Sequence, residues 1–217
     1  MKKRKKKLDS LLSIKICLCS SLIEPASHKR KVGGLIPSAG TKHTKRKTMK
    51  NIWIISDTHF NHENIIKYCN RPFANAKEMN EALVENWNSV VKDDDIIYHL
   101  GDVYFGRDSS WSSKLNGRKR LIIGNHDNVK NVVLTKMFEK IMIWRAFPEF
   151  GLFLSHMAVH PSAFELKACR NLHGHTHDVD VSDEKITLDN ETFSKYYNVC
   201  VEKTGYKPIN IEELRIK

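Results

Sequence analysis

Residues 51–59 read NIWIISDTH. A strand-sized run rich in isoleucine stops abruptly in Ser-Asp-Thr-His, and the same figure recurs downstream. DDIIYHL (94–100) runs into Gly-Asp, KRLII (119–123) into Gly-Asn-His-Asp, and GLFL (151–154) into Ser-His. Short apolar runs closed by small or charged residues predict strands ended by loops. Between the first two, ANAKEMNEALVENWNSVV (74–91) places Met79, Leu83, Trp87 and Val90 at helical spacing, which predicts a core-facing helix. NHENIIKYC (61–69) predicts a shorter one. YYNVCVE (196–202) predicts a further strand, and INIEEL (209–214), after Pro208, a closing turn or helix. Strand, helix, strand, helix or loop, strand, then a strand-rich C-terminal half is the order of an α/β layered domain. In open sheets of this type, ligands gather beyond the C-terminal strand ends.

Those ends carry a consistent chemistry. They offer Asp57 and His59, Asp102 after Gly101, Asn125, His126 and Asp127 after Gly124, and His156. NLHGHTHD (171–178) adds His175 and His177. Each has a plain structural reading alone: Asp57 as a helix cap, Asp102 and Asn125 as turn residues beside glycines, His156 as a packed histidine. Together, three carboxylate or amide oxygens and four imidazoles form a ligand set for two divalent metals. In an extended segment, residues i and i+2 point to the same side. Asp57 and His59 can then share one metal, and His175 and His177 can reach two neighbouring ones from one loop. Gly124 and Gly174 are expected to allow tight turns beside the metals.

In this order the blocks DTH (57–59), GD (101–102), GNHD (124–127), SH (155–156) and GHTH (174–177) resemble the signature of calcineurin-like metallophosphoesterases. All five are present. The text around them, SDTHFNHENIIKYCNRPF, LNGRKRLIIGNHD and YYNVCVE, is similar to a small bacterial and bacteriophage-type branch. The resemblance implies a four-layer α/β/β/α sandwich, two mixed sheets flanked by helices. It implies that Asp57, His59, Asp102 and His177 hold one metal, and that Asp102, Asn125, His156 and His175 hold the other, with Asp102 bridging. It also implies that His126 faces the substrate and stabilises or protonates the leaving oxygen, as an imidazole is suited to do. Asp127 either orients His126 or caps the following segment.

Two such metals would supply an attacking hydroxide at neutral pH and compensate charge on the phosphoryl oxygens. Manganese is the expected ion; iron, zinc and nickel suit the same ligands. Protein phosphatases of the superfamily show Asp-Arg-Gly after the second block and Glu in the third. Here the second block reads GDVYFGR and the third ends in Asp127. The expectation is therefore a small phosphoester, a diester in preference. A monoesterase or nucleotidase, a nuclease on the same site, and a non-catalytic module that keeps the fold are the alternatives. Several neighbours receive structural readings: His173 as a packed strand residue, His99 as a structural neighbour, Arg107 as solvent-exposed. His62 and Asn64 stand between a pocket role and a helix start, and His160 is the rival of His156.

Residues 1–50 hold 15 Lys/Arg against two acids, and the other 167 residues hold 21 against 23. The excess base belongs to the N-terminal segment, and the acidic body counts against a nucleic-acid partner. Residues 1–48 read as a basic, disordered, dispensable extension, and 49–217 as the catalytic domain. The apolar run after MKKRKKK is broken by Asp9 and Lys15 and is too short to span a bilayer. Five scattered cysteines, Cys17, Cys19, Cys69, Cys169 and Cys200, favour a reducing compartment, hence the cytoplasm. The basic runs would serve as nuclear-localisation patches if the source is eukaryotic.

Overall fold

A computed structural model describes residues 50–165, 168–181 and 195–216. The expectations for residues 1–48, with Cys17 and Cys19, lie outside the described residues.

Two sheets face each other. The first has the order β4-β3-β2-β1-β9. Its strands are β1 (Ile52–Ile55), β2 (Ile96–His99), β3 (Arg118–Ile122) and β4 (Lys140–Met142), all parallel, with β9 (Ile209–Asn210) antiparallel against β1. The second has the order β5-β6-β7-β8. In it β5 (Trp144–Phe147) is antiparallel to β6 (Leu152–Ser155), and β7 (Arg170–His173) and β8 (Tyr196–Asn198) run parallel to β6.

Side-chain alternation assigns the layers. Ile54, Tyr98 and Ile122 point between the sheets and pack on Leu152, Leu154, Leu172 and Val199. Ile55, Ile97 and Leu121 point the other way, beneath the helices α1 (Glu63–Tyr68), α2 (Ala76–Val90) and α3 (Val132–Met137). Asn75 caps α2 by accepting the Glu78 N–H, and Met79, Leu83 and Trp87 are its buried stripe. Fully burying side chains of this size contributes about 1.5–3 kcal/mol each. On the far face of the second sheet, Phe153 packs on Phe164 and Ala168, next to the single-turn helix Pro161–Ala163. The two mixed sheets and the helical flank are those of the expected sandwich.

Five segments depart from the sequence reading. Strands β4 and β5 and helix α3 carry too few residues for a period to register. INIEEL was expected as a turn or helix, yet its first two residues form β9, and Ile211–Leu214 then form one 3-10 turn. YYNVCVE is a strand only at its start. After Asn198 pairs with His173 in the second sheet, Cys200 bridges to Ser56 in the first. This crossing ties the sheets together at the edge where the polar blocks emerge.

Candidate metal centre

Ile55, His99 and Leu121 are partners across the parallel β1-β2-β3 ladder. The strands end level, so Asp57, Asp102 and Asn125 leave the sheet side by side. His156 follows β6 and His175 follows β7, from the facing sheet. Among the described residues, donor atoms of Asp57, His59 and His177 lie within 4.8 Å of one another, as do those of Asp102, His156 and His175. The imidazole Nε2 of His59 stands 3.8 Å from both the Asp57 and Asp102 carboxylates, and that of His156 3.5 Å from Asp102. All seven expected ligands therefore converge in one place, Asp102 lying between the two groups.

The convergence does not come from extended backbone. Asp57 (φ 58°), His59 (φ 50°), Asp102 (φ 57°), His175 (φ 70°) and His177 (φ 51°) all adopt the left-handed region. Asp and His tolerate it better than most residues, at a cost of about 1–3 kcal/mol each. Cross-links hold it: the Asp57 N–H donates to Gly101 and the His59 N–H to Asp102, at 3.0 and 3.1 Å. Gly124 and Gly174 likewise act differently from expectation, through close approach. A Cβ on Gly174 would stand 2.0 Å from Ser56 Oγ and 2.2 Å from Asp57 Oδ2; one on Gly124 would stand 2.2 Å from Asp102 Oδ1.

The donor set fits a pair of cations. Asp57 Oδ2 accepts from Ser56 Oγ, the His175 N–H and Cys200 Sγ. Asp57 Oδ1 and both ring nitrogens of His59 are buried without a hydrogen-bond partner. Such orphans are costly unless something charged meets them. The His156 Nδ1–H donates to the Leu100 carbonyl at 2.8 Å, so in the neutral ring Nε2 carries a lone pair. That lone pair faces Asn125 Oδ1 at 2.8 Å. Two acceptors at this distance repel unless a proton or a cation is held between them. Burial works against charge on Asp57, yet the nearby imidazoles and Ser56 hold its carboxyl well below the usual carboxylate range. Burial and the neighbouring His156 ring lower His175. Burial also opposes a charge on His177, but Cys69 and Glu202 outweigh it and push the ring up to about 10.

The remaining histidines separate by surroundings. His126 is exposed at the rim, its ring 5.8 Å from that of His59 and 5.2 Å from Phe105, and its N–H donates to Asp102 Oδ1. His62 starts α1 and stacks on Phe105 at 4.0 Å, so it both opens the helix and lines the mouth. Asn64 and Arg107 are exposed. His160 caps the Pro161–Ala163 turn instead of competing with His156. His173 is buried and bonded to the Gly174 carbonyl. His99 is fully buried and bonds Thr58 Oγ1 and the Gly101 N–H, and burial presses it down to about 3.

Asp127 requires a correction. Its Oδ2 accepts the N–H groups of Asp102 and Gly124, both at 2.9 Å, and its Oδ1 accepts that of Val103 at 3.0 Å. Both oxygens are taken up in fastening the Asp102 loop to the GNHD loop. The carboxylate holds backbone and neither orients His126 nor caps a helix. Burial raises its pKa, against the pull of those three N–H groups.

Three residues were not anticipated. Arg71, buried, donates to the Asp57 and Thr58 carbonyls and to Glu202. Glu202 in turn bonds His177 Nδ1 at 3.0 Å. Asn198 donates to Thr176 Oγ1 and the His177 carbonyl, pinning the GHTH loop. An arginine in CNRPF and a glutamate closing YYNVCVE carry no local signal of their meeting.

Two facing mixed sheets gather carboxylate, amide and imidazole donors along one edge, the donor set of a candidate metal site. The family model described as Calcineurin-like phosphoesterase matches residues 50–195, and the chain belongs to that family. It is 39% identical over 171 residues to an uncharacterized protein of Methanocaldococcus jannaschii, covering 76% of this chain and 89% of the relative. Over 85 residues it is 38% identical to the gene 66 protein of Mycobacterium phage L5, covering 36% of this chain and 41% of the phage protein, in keeping with the bacteriophage-type branch. A solved structure, a protein of unknown function from Aquifex aeolicus, aligns with a TM-score of 0.61 at 28% identity, over 76% of this chain and 97% of that one. Among the described residues no helix is long and apolar enough to cross a membrane.

Proposed function

We propose that the protein hydrolyses small phosphate esters, diesters in preference, with two divalent cations at the sheet edge and manganese as the favoured ion. The observation that carries this reading is the set of buried donor atoms turned toward one another: the orphaned Asp57 Oδ1 and His59 nitrogens, and His156 Nε2 facing Asn125 Oδ1. Asp57, His59, Asp102 and His177 would hold one cation; Asp102, Asn125, His156 and His175 the other. When bound, the pair supplies activated water and offsets charge on the phosphoryl oxygens.

The chain supplies the rest. His126, exposed beside Phe105 and tethered by its backbone N–H to Asp102, would stabilise or protonate the leaving oxygen. Phe105 and His62, stacked on each other, form one wall of the mouth. The absence of Asp-Arg-Gly after Asp102 weighs against a phosphoprotein substrate, and the acidic body against a nucleic acid. The test compares bis-p-nitrophenyl phosphate with p-nitrophenyl phosphate, with Mn²⁺ and with chelator. Faster Mn²⁺-dependent release from the diester is expected. Preference for the monoester would move the reading to a monoesterase or nucleotidase, and no metal-dependent release from either to a non-catalytic module.

A further inference from the structure

Behind the candidate metal centre lies an ion pair that the chemistry above does not use. The Arg71 side chain is 0% exposed and that of Glu202 5%. Burying two charges costs several kcal/mol per ion before their attraction is counted, so such a pair is weak evidence for stability and asks for another explanation. Its geometry supplies one. Arg71 Nη2 donates to the Asp57 carbonyl at 2.8 Å and Nη1 to the Thr58 carbonyl at 2.9 Å. These are the carbonyls of the left-handed segment that presents Asp57 and His59. The same guanidinium grips Glu202 Oε1 through Nε and Nη2, at 2.9 and 2.7 Å. That oxygen also bonds His177 Nδ1 at 3.0 Å, which turns Nε2 away from Glu202. One guanidinium therefore holds the backbone at Asp57 and Thr58, just before His59, and reaches His177 through the Glu202 carboxylate, so its contacts gather on the segments that carry three of the four donors of a single metal position. None of its contacts reaches Asn125, His156 or His175.

Cys69, His177 and Glu202 also gather within 4.8 Å, but a cation there would meet the Arg71 guanidinium, already 2.7 Å from Glu202 Oε1. The cluster is better read as a support than as a third metal position.

We propose that Arg71 and Glu202 are positioning residues for the Asp57/His59/His177 metal position alone: together they set its affinity, leaving the Asn125/His156/His175 position unaffected. This rests on the two-cation reading. Groups that orient a metal-bound histidine typically change metal affinity 10- to 100-fold on mutation.

The test uses the full-length protein, stripped with chelator and titrated with Mn²⁺ alone, followed by calorimetry and electron paramagnetic resonance. Wild type should bind two ions and give the spectrum of a coupled pair. Glu202→Gln should weaken one ion roughly 10- to 100-fold, so that at the concentration just filling wild type one uncoupled ion remains. Adding His156→Ala should remove that ion; adding His59→Ala should not. Because Glu202→Gln leaves a buried arginine unpaired, the Arg71→Met/Glu202→Gln double variant, which removes both charges, is measured beside it. The same selective loss is expected there. Two ions bound with wild-type affinity in a folded variant, or equal weakening of both, would overturn the proposal. A wild type that takes up no Mn²⁺ would overturn the two-cation reading itself.

Discussion

Asp127→Asn separates a proton-transfer residue from a backbone clamp. The carboxylate accepts the N–H groups of Asp102, Val103 and Gly124. An asparagine that keeps its carbonyl oxygen on Asp102 and Gly124 must turn its NH₂ toward the Val103 N–H. One charge-assisted bond, about 1.5–3 kcal/mol, is lost, and the other two weaken to ordinary bonds, by about 1 kcal/mol each. Water reaches this half-buried side chain and returns part of the loss, so the expected cost is about 3 kcal/mol. Urea unfolding of the metal-free protein should show it as a lower midpoint at unchanged slope. With both positions filled by Mn²⁺, turnover should fall because Asp102 is displaced, while the pH–rate profile keeps both limbs. Wild-type stability together with a missing limb would refute the clamp and restore Asp127 to proton transfer.

His126→Ala should lower turnover on the diester roughly 10²–10⁴-fold with Mn²⁺ content unchanged by elemental analysis; lost metal would contradict a substrate-facing role. Gly174→Ala forces a methyl against Ser56 Oγ and Asp57 Oδ2, both in fully buried residues, and should destabilise by about 1–3 kcal/mol or more in thermal melts. Gly205→Ala meets nothing within 4 Å but sits at φ 64°, so it should cost only the roughly 1–2 kcal/mol of a left-handed alanine and shows backbone strain without crowding. His99, held neutral at about 3 against an ordinary value of 6.5, binds its proton in the unfolded chain first. Its contribution is complete above pH 6.5 and declines by about 1.4 kcal/mol per pH unit below it, toward pH 3. His99→Asn should flatten that part of the stability–pH curve measured by urea unfolding.

The polar blocks are legible in the sequence because four of the five follow an apolar run whose length and composition already specify a strand, and because carboxylate and imidazole chemistry travels with residue type. That suffices for the α/β class and for the membership of Asp57, His59, Asp102, Asn125, His156, His175 and His177 in one set. Backbone sign is not legible: an aspartate in DTH reads the same whether extended or left-handed, and only the bonds to Gly101, Asp102 and Arg71 impose φ 58° on Asp57. Nor is pairing across distance. Arg71 and Glu202 are 131 positions apart and meet only because the β8 exit crosses from one sheet to the other. Asp127 sits beside His126 in the chain, yet its carboxylate is turned to the Asp102 loop 25 residues earlier. Local composition carries period and donor type. Which donor each side chain meets, and whether it touches a reacting atom or only holds the backbone of one that does, is decided when two sheets close on each other and every buried polar group must find a partner.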